Sequence, residues 1–163
     1  MDAIDALRSR RSVRRYRPGT VPREVLEEIV DCGRLAASAR NVQPWEFVVI
    51  TDRGLLQRLA DIADHGRHIA KAAACIVVLC QDGKYFLEDG CAATQNILVA
   101  AQARGLGTCW VAGDKKLYAD TVRRMLQAPD SHRLVSLIPI GYPDERPSIE
   151  KRSLASVLHW DKF

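Results

Sequence analysis

Apolar residues recur along this chain in two rhythms. Spacings of three and four mark helices, and short unbroken runs mark buried strands. Residues 2–9 carry Ile4 and Leu7 among charged neighbours. This predicts a short helix with those two side chains inward and Asp2 at the positive end of its dipole. Pro18-Gly19 interrupts the chain. Pro22 then opens a helix expected to reach about Ala37, with Val25, Leu26, Ile29, Val30 and Leu35 as its stripe. Residues 38–44 read as loop and 46–51 as a buried strand. Asp52 is placed to cap a helix bearing Leu55, Leu56, Leu59 and Ile62, and residues 75–80 form a second strand.

The helix over residues 86–104 is apolar around most of its circumference, through Cys91, Ala92, Ala93, Ile97, Leu98, Val99, Ala100 and Ala101. Such a helix is central or lies in a subunit interface. Gly105-Leu106-Gly107 ends it. A strand over 108–112, a helix over 115–127 and a strand over 134–140 follow. The alternation predicts an α+β (α/β sandwich) architecture in one domain spanning residues 1–163. The segment from residue 154 to the end carries Val157, Leu158, Trp160 and Phe163 with no partner of its own, and is expected to wrap onto a second subunit.

Composition adds limits. At 47% hydrophobic and 27% charged, 163 residues can bury a core and stay soluble. The net charge of +4 is concentrated in residues 8–17, where six arginines stand without an acid. A nucleic-acid binder is usually basic over a whole face, so no nucleic-acid partner is expected. No signal peptide and no membrane-length apolar run are seen. The five cysteines, an odd number without a C-x-x-C pair, argue for packed thiols in a reducing cytoplasm. His65 and His68 have ligand-like spacing but no third ligand, and are read as a solvated pair.

The chemistry lies in three segments and one further basic pair. Arg10-Arg11-Ser12-Val13-Arg14-Arg15 offers planar cations suited to phosphate oxygens, and Lys151-Arg152 adds a second basic pair. Ser38-Ala39-Arg40-Asn41-Val42-Gln43-Pro44-Trp45 places amides beside an aromatic. Trp110-Val111-Ala112-Gly113 ends a strand where backbone can approach a ligand closely. Cations for an anion together with amides suit a phosphorylated heteroaromatic cofactor. No dinucleotide fingerprint, P-loop, catalytic triad or zinc-ligand set is present.

Taken together, the motifs resemble the nitroreductase family of FMN-dependent oxidoreductases, in order and over nearly the whole chain. They are Arg-Arg-Ser-x-Arg at 10–14, Ser-x-x-Asn-x-Gln-Pro-Trp-x-Phe at 38–47, Asp89 before an Ala-rich helix with Gln95-Asn96, Gly-Leu-Gly-Thr-Cys-Trp at 105–110, Gly-Tyr-Pro at 141–143 and the basic pair. The resemblance implies a central, mostly antiparallel sheet flanked by helices. It also implies a homodimer with a C-terminal segment exchanged between subunits and two interfacial FMN sites. By similarity, Arg10, Arg11 and Ser12 hold the phosphate and ribityl chain, with Lys151 and Arg152 closing on the phosphate. Arg14 approaches the pyrimidine edge, where a cation stabilises charge as it develops. Ser38, Asn41 and Gln43 reach the ring from the partner subunit, and the backbone of Ala112 and Gly113 faces N5.

The implied activity is transfer from NADH or NADPH through FMN to nitroaromatic, quinone or similar small planar electron acceptors, in ping-pong order. No catalytic side chain and no metal are expected. Members often have a Pro-x-Gly-Gly type turn where Trp110 to Gly113 stands here, and Arg in place of Lys151. The chain also lacks the insertions that roof the flavin in larger members. An ene-reductase, a dehalogenase, a flavin-destroying enzyme and an FMN-holding module with little turnover are therefore the alternatives.

Overall fold

Two strands with almost no exposed residue, β2 (Ala74–Gln81) and β5 (His132–Gly141), form the centre of the molecule. The computed structural model describes residues 1–163. Ile76, Val78 and Cys80 of β2 point to one face, and Cys75, Val77 and Leu79 to the other. A strand alternates its side chains, so a continuous apolar run means both faces are covered. β1 (Trp45–Ile50) pairs with β2 on its free edge. β3 (Gly107–Thr108) and β4 (Val111–Ala112) pair with the far edge of β5. Every ladder is antiparallel, and one irregularity falls between Val78 and Leu79.

Helices α2 (Arg23–Arg34) and α4 (Phe86–Ala103) cover one face, through Leu26, Ile29, Ile97 and Leu98. Close approach needs glycine here. A Cβ on Gly90 would lie 2.6 Å from Val135 Cγ2, and one on Gly33 would lie 2.8 Å from Ile97 Cγ1. The other face is closed by α3 (Arg53–Ile62), α5 (Ala119–Met125) and a 3-10 turn at Arg67–Lys71, through Leu56, Leu59, Ile69 and Val122. Asp52 caps α3 as expected, accepting the Leu55 amide at 2.8 Å.

Some expectations change. The first helix, α1 (Ala3–Ser9), buries only Ala6; Ile4 and Leu7 are 55% and 53% exposed. α2 stops at Arg34, short of Ala37, and Leu35 is exposed. Leu35 lies nine residues beyond Leu26, half a turn out of phase at about 3.6 residues per turn, so it cannot join the stripe. The strand expected over 108–112 is split at Cys109-Trp110, and the helix expected from residue 115 begins at Ala119. α4 is central, but Cys91, Ala92, Val99 and Ala100 are only half-buried. The final residues form one 3-10 turn, Leu154–Ser156, and stay on the surface, with Trp160 81% exposed. No helix is long and apolar enough to cross a membrane.

Candidate functional site

The arginine segment leaves α1 as an extended strand beside β3. Ser12 bridges Thr108, and the Val13 amide donates to the Thr108 carbonyl at 2.8 Å. Val13 and Tyr16 turn inward; Arg14, Arg15 and Arg17 turn outward. The Tyr16 hydroxyl donates to the Val13 carbonyl at 2.7 Å, and burial pushes its ionisation far above the ordinary value. Glu145 clamps the outer side. It accepts the Arg14 amide at 2.6 Å, the Arg15 amide at 3.1 Å and the Arg15 Nε at 3.1 Å. Those donors, the Arg14 amide first, hold its carboxyl below the usual range.

The arginines divide by what they touch. The Arg11 guanidinium donates to the carbonyls of Arg8, Arg10 and Ile149, tying the segment to the chain just before Lys151. Arg152 donates to the Ser156 carbonyl at 2.6 Å. The side chains of Arg10 and Arg14 make no hydrogen bond or ion pair within the chain. Arg14 borders one cleft with Arg53 and Lys71, and another with His65 and Arg67.

His68 corrects one expectation. His65 is exposed, but His68 is half-buried, and its Nε2 is fully enclosed without a hydrogen-bond partner. Burial first, then Arg14, lowers its affinity for a proton, with Glu145 opposing. Only the residues brought beside it by the fold reveal this; its spacing from His65 pointed elsewhere. No group of side chains is arranged to hold a metal. The thiols are packed as expected: Cys75, Cys80 and Cys109 are buried, none is disulfide-bonded, and burial pushes Cys75 and Cys80 up to about 12.

The amide loop is built differently. The Ser38 Oγ accepts the Gln43 amide at 3.0 Å, and Asp89 in the first turn of α4 accepts the Ala39 amide at 2.9 Å. Arg40, Asn41 and Gln43 all have positive φ, between 51° and 56°. This backbone leaves Asn41 and Gln43 pointing into solvent. At the end of β4, Gly113 donates its amide to the Val135 carbonyl at 3.0 Å, so that N–H is already spent on β5. A Cβ there would lie 2.5 Å from Leu134 Cγ. Ala112 is exposed beside it.

The two polar groups sit at opposite ends of β2. The arginine segment packs where β2 begins: Gly141 lies between the Tyr16 ring and the Ala73 amide, one residue before β2. The amide loop ends where β2 finishes, with the Pro44 carbonyl accepting the Gln81 amide at 2.8 Å. Seven residue steps at ~3.4 Å put roughly 24 Å between them. The single chain therefore does not bring Arg14 and Asn41 to a common ligand.

Comparison with known proteins agrees with this architecture. The model described as the nitroreductase family matches residues 7–81 and 66–142. A candidate NADH dehydrogenase/NAD(P)H nitroreductase of Methanothermobacter thermautotrophicus is 30% identical, over 100% of this chain and 88% of its own length. A solved structure of a protein with the same description from Bacteroides thetaiotaomicron is 30% identical, with TM-score 0.94 over 99% of this chain and 98% of that one. The FMN-dependent nitroreductase of Clostridium difficile is 28% identical, with TM-score 0.91 over 98% of this chain and 99% of that one. Motif order, an antiparallel sheet between two helical layers and these matches agree: the chain belongs to the nitroreductase family.

Proposed function

We propose that this protein is an FMN-dependent NAD(P)H oxidoreductase that works as a homodimer and reduces nitroaromatic, quinone or similar flat acceptors in ping-pong order. The separation of the two polar groups along β2 is the observation that carries this reading. A two-fold pair of chains can set the arginine end of one copy against the amide loop of the other, twice over. The half-buried face of α4, the exposed Ile4 and Leu7, and the exposed apolar tail supply surface for such a pair.

The residues present fit FMN. Arg10 and Arg14 carry guanidinium groups without partners, and His68 holds an enclosed nitrogen with none. Arg10, Arg11, Ser12, Lys151 and Arg152 would hold the phosphate and sugar-alcohol chain. Arg14 would face the pyrimidine edge, and Ser38, Asn41 and Gln43 the ring of the partner's cofactor. Ala112 and Gly113 would form a wall, Gly113 through shape alone because its amide is taken. Bound FMN would supply the redox chemistry that no side chain here can supply. The protein's part is to orient reductant and acceptor in turn on one face and to favour negative charge near Arg14. The name of the Clostridium difficile relative supports the cofactor, and that of the Methanothermobacter thermautotrophicus relative supports the reductant.

The test is an absorbance spectrum of the purified protein before and after anaerobic NAD(P)H, with sedimentation of the same sample. The expected result is a yellow dimer that the reductant bleaches. A colourless monomer that takes up no added FMN would overturn the proposal.

A further inference from the structure

A cavity of about 340 Å³ opens between the amide loop and the start of α4. Its size is at the lower end of small-molecule sites. Arg40 and Pro44 come from the loop; Lys84, Tyr85 and Phe86 come from the turn into α4. Tyr85 is 40% exposed, and the Lys84 ammonium stands 5.1 Å from its ring centroid. The aromatic side chains give a flat ligand something to lie against.

The charges around the cavity are unequal in what they have left to bind. Asp82 is held by Arg133 at 2.9 Å, and Asp89 accepts the Ala39 amide. Neither Arg40 nor Lys84 has an ion-pair partner in the protomer. With Asp82 offset by Arg133, the two cations Arg40 and Lys84 outnumber the one remaining carboxylate, Asp89, so the lining is net positive beside an aromatic surface.

We infer that this cavity receives the anionic substituent of a planar acceptor, so that the protein prefers aromatic carboxylates or comparable anions over neutral analogues. The inference rests on the proposed function, because the loop that lines the cavity is the one assigned to the partner's ring. Lys84 and Arg40 would act on substrate choice; neither is among the residues assigned to the cofactor.

The probes are para-nitrobenzoate and para-nitrobenzamide, which share a ring and differ in charge. Their dissociation constants are measured by ligand-detected NMR on the FMN-loaded protein, the Lys84→Ala variant and the Arg40→Ala variant. The expected result is roughly three- to tenfold tighter binding of the benzoate than of the amide. Each variant should lose most of that preference, while its affinity for the amide stays within about twofold of the original. Equal binding of the two probes to the unaltered protein, or a preference that survives in both variants, overturns the inference. Failure of the parent reading shows separately, as a protein that neither retains FMN nor is reduced by NAD(P)H.

Discussion

Removing the Asp89 carboxylate tests how the amide loop is held. That carboxylate is 7% exposed and accepts the Ala39 amide at 2.9 Å from the first turn of α4. A hydrogen bond to a charged acceptor contributes about 1.5–3 kcal/mol. A carboxylate in the first helical turn adds about 0.3–1 kcal/mol through the dipole. Asp89→Ala should therefore cost about 2–4 kcal/mol in all. Glu88 is an internal control: it shares the turn, is exposed and makes no hydrogen bond or ion pair. Glu88→Ala loses only the dipole part, about 0.3–1 kcal/mol. At about 2–4 °C per kcal/mol for a chain of this length, Asp89→Ala should lower Tm by roughly 4–16 °C, and Glu88→Ala by at most about 4 °C. Thermal unfolding is followed at one fixed concentration of protein and of FMN, since association and ligand both move Tm. A fluorescence titration then reads the functional arm: with the loop loosened, the Kd for FMN should rise roughly tenfold in Asp89→Ala, about 1.4 kcal/mol, and stay unchanged in Glu88→Ala. If both variants melt together and both keep the original FMN affinity, the carboxylate does not hold the loop.

Other outcomes are expected. Arg14→Ala should slow flavin reduction by NAD(P)H more than it weakens FMN binding, as rapid-mixing and equilibrium titrations can compare; normal reduction with lost cofactor refutes that role. Ending the chain after Glu150 should weaken both dimer and cofactor binding, and a truncated chain that stays a yellow dimer shows the tail is uninvolved. Burial depresses the His68 proton affinity, so the unfolded chain takes up its proton at higher pH than the folded one. Stability is then full above the unfolded value of about 6.5 and falls as pH drops through it toward the folded value. His68→Gln should flatten that acid-side loss in the urea midpoint, and an unaltered slope would assign it to another group.

The two central strands were legible because β2 is an unbroken apolar run and β5 is interrupted only by Ser136 between Leu134 and Ile140, a pattern that needs cover on both faces wherever it falls. The cap at Asp52 and the packed thiols were legible for similar local reasons. Ile4 and Leu7 misled because periodicity reports an apolar face without saying what meets it, and only Ala6 of α1 is covered. Leu35 misled because it falls half a turn out of phase with the stripe it was read into. The arginine segment could be read as a phosphate site only together with the other motifs, and its division of labour could not be read at all. Arg11 is occupied by carbonyls as distant as Ile149, a contact that exists only after folding. His68 was missed for the same reason: its enclosure comes from residues remote in sequence, and its spacing from His65 suggested a different chemistry. Gly113 showed a need for close approach, but the neighbour turned out to be Leu134 and Val135 of its own sheet.

The placement of the arginines and the amides at opposite ends of β2 has a genetic consequence. If each pocket draws one end from each chain, a copy crippled at Arg14 and a copy crippled at Asn41 are both inert when expressed alone. Co-expressed, they assemble mixed pairs in which one pocket inherits both defects and the other inherits none. Two null alleles would then complement each other, with each mixed pair regaining one working pocket of its two.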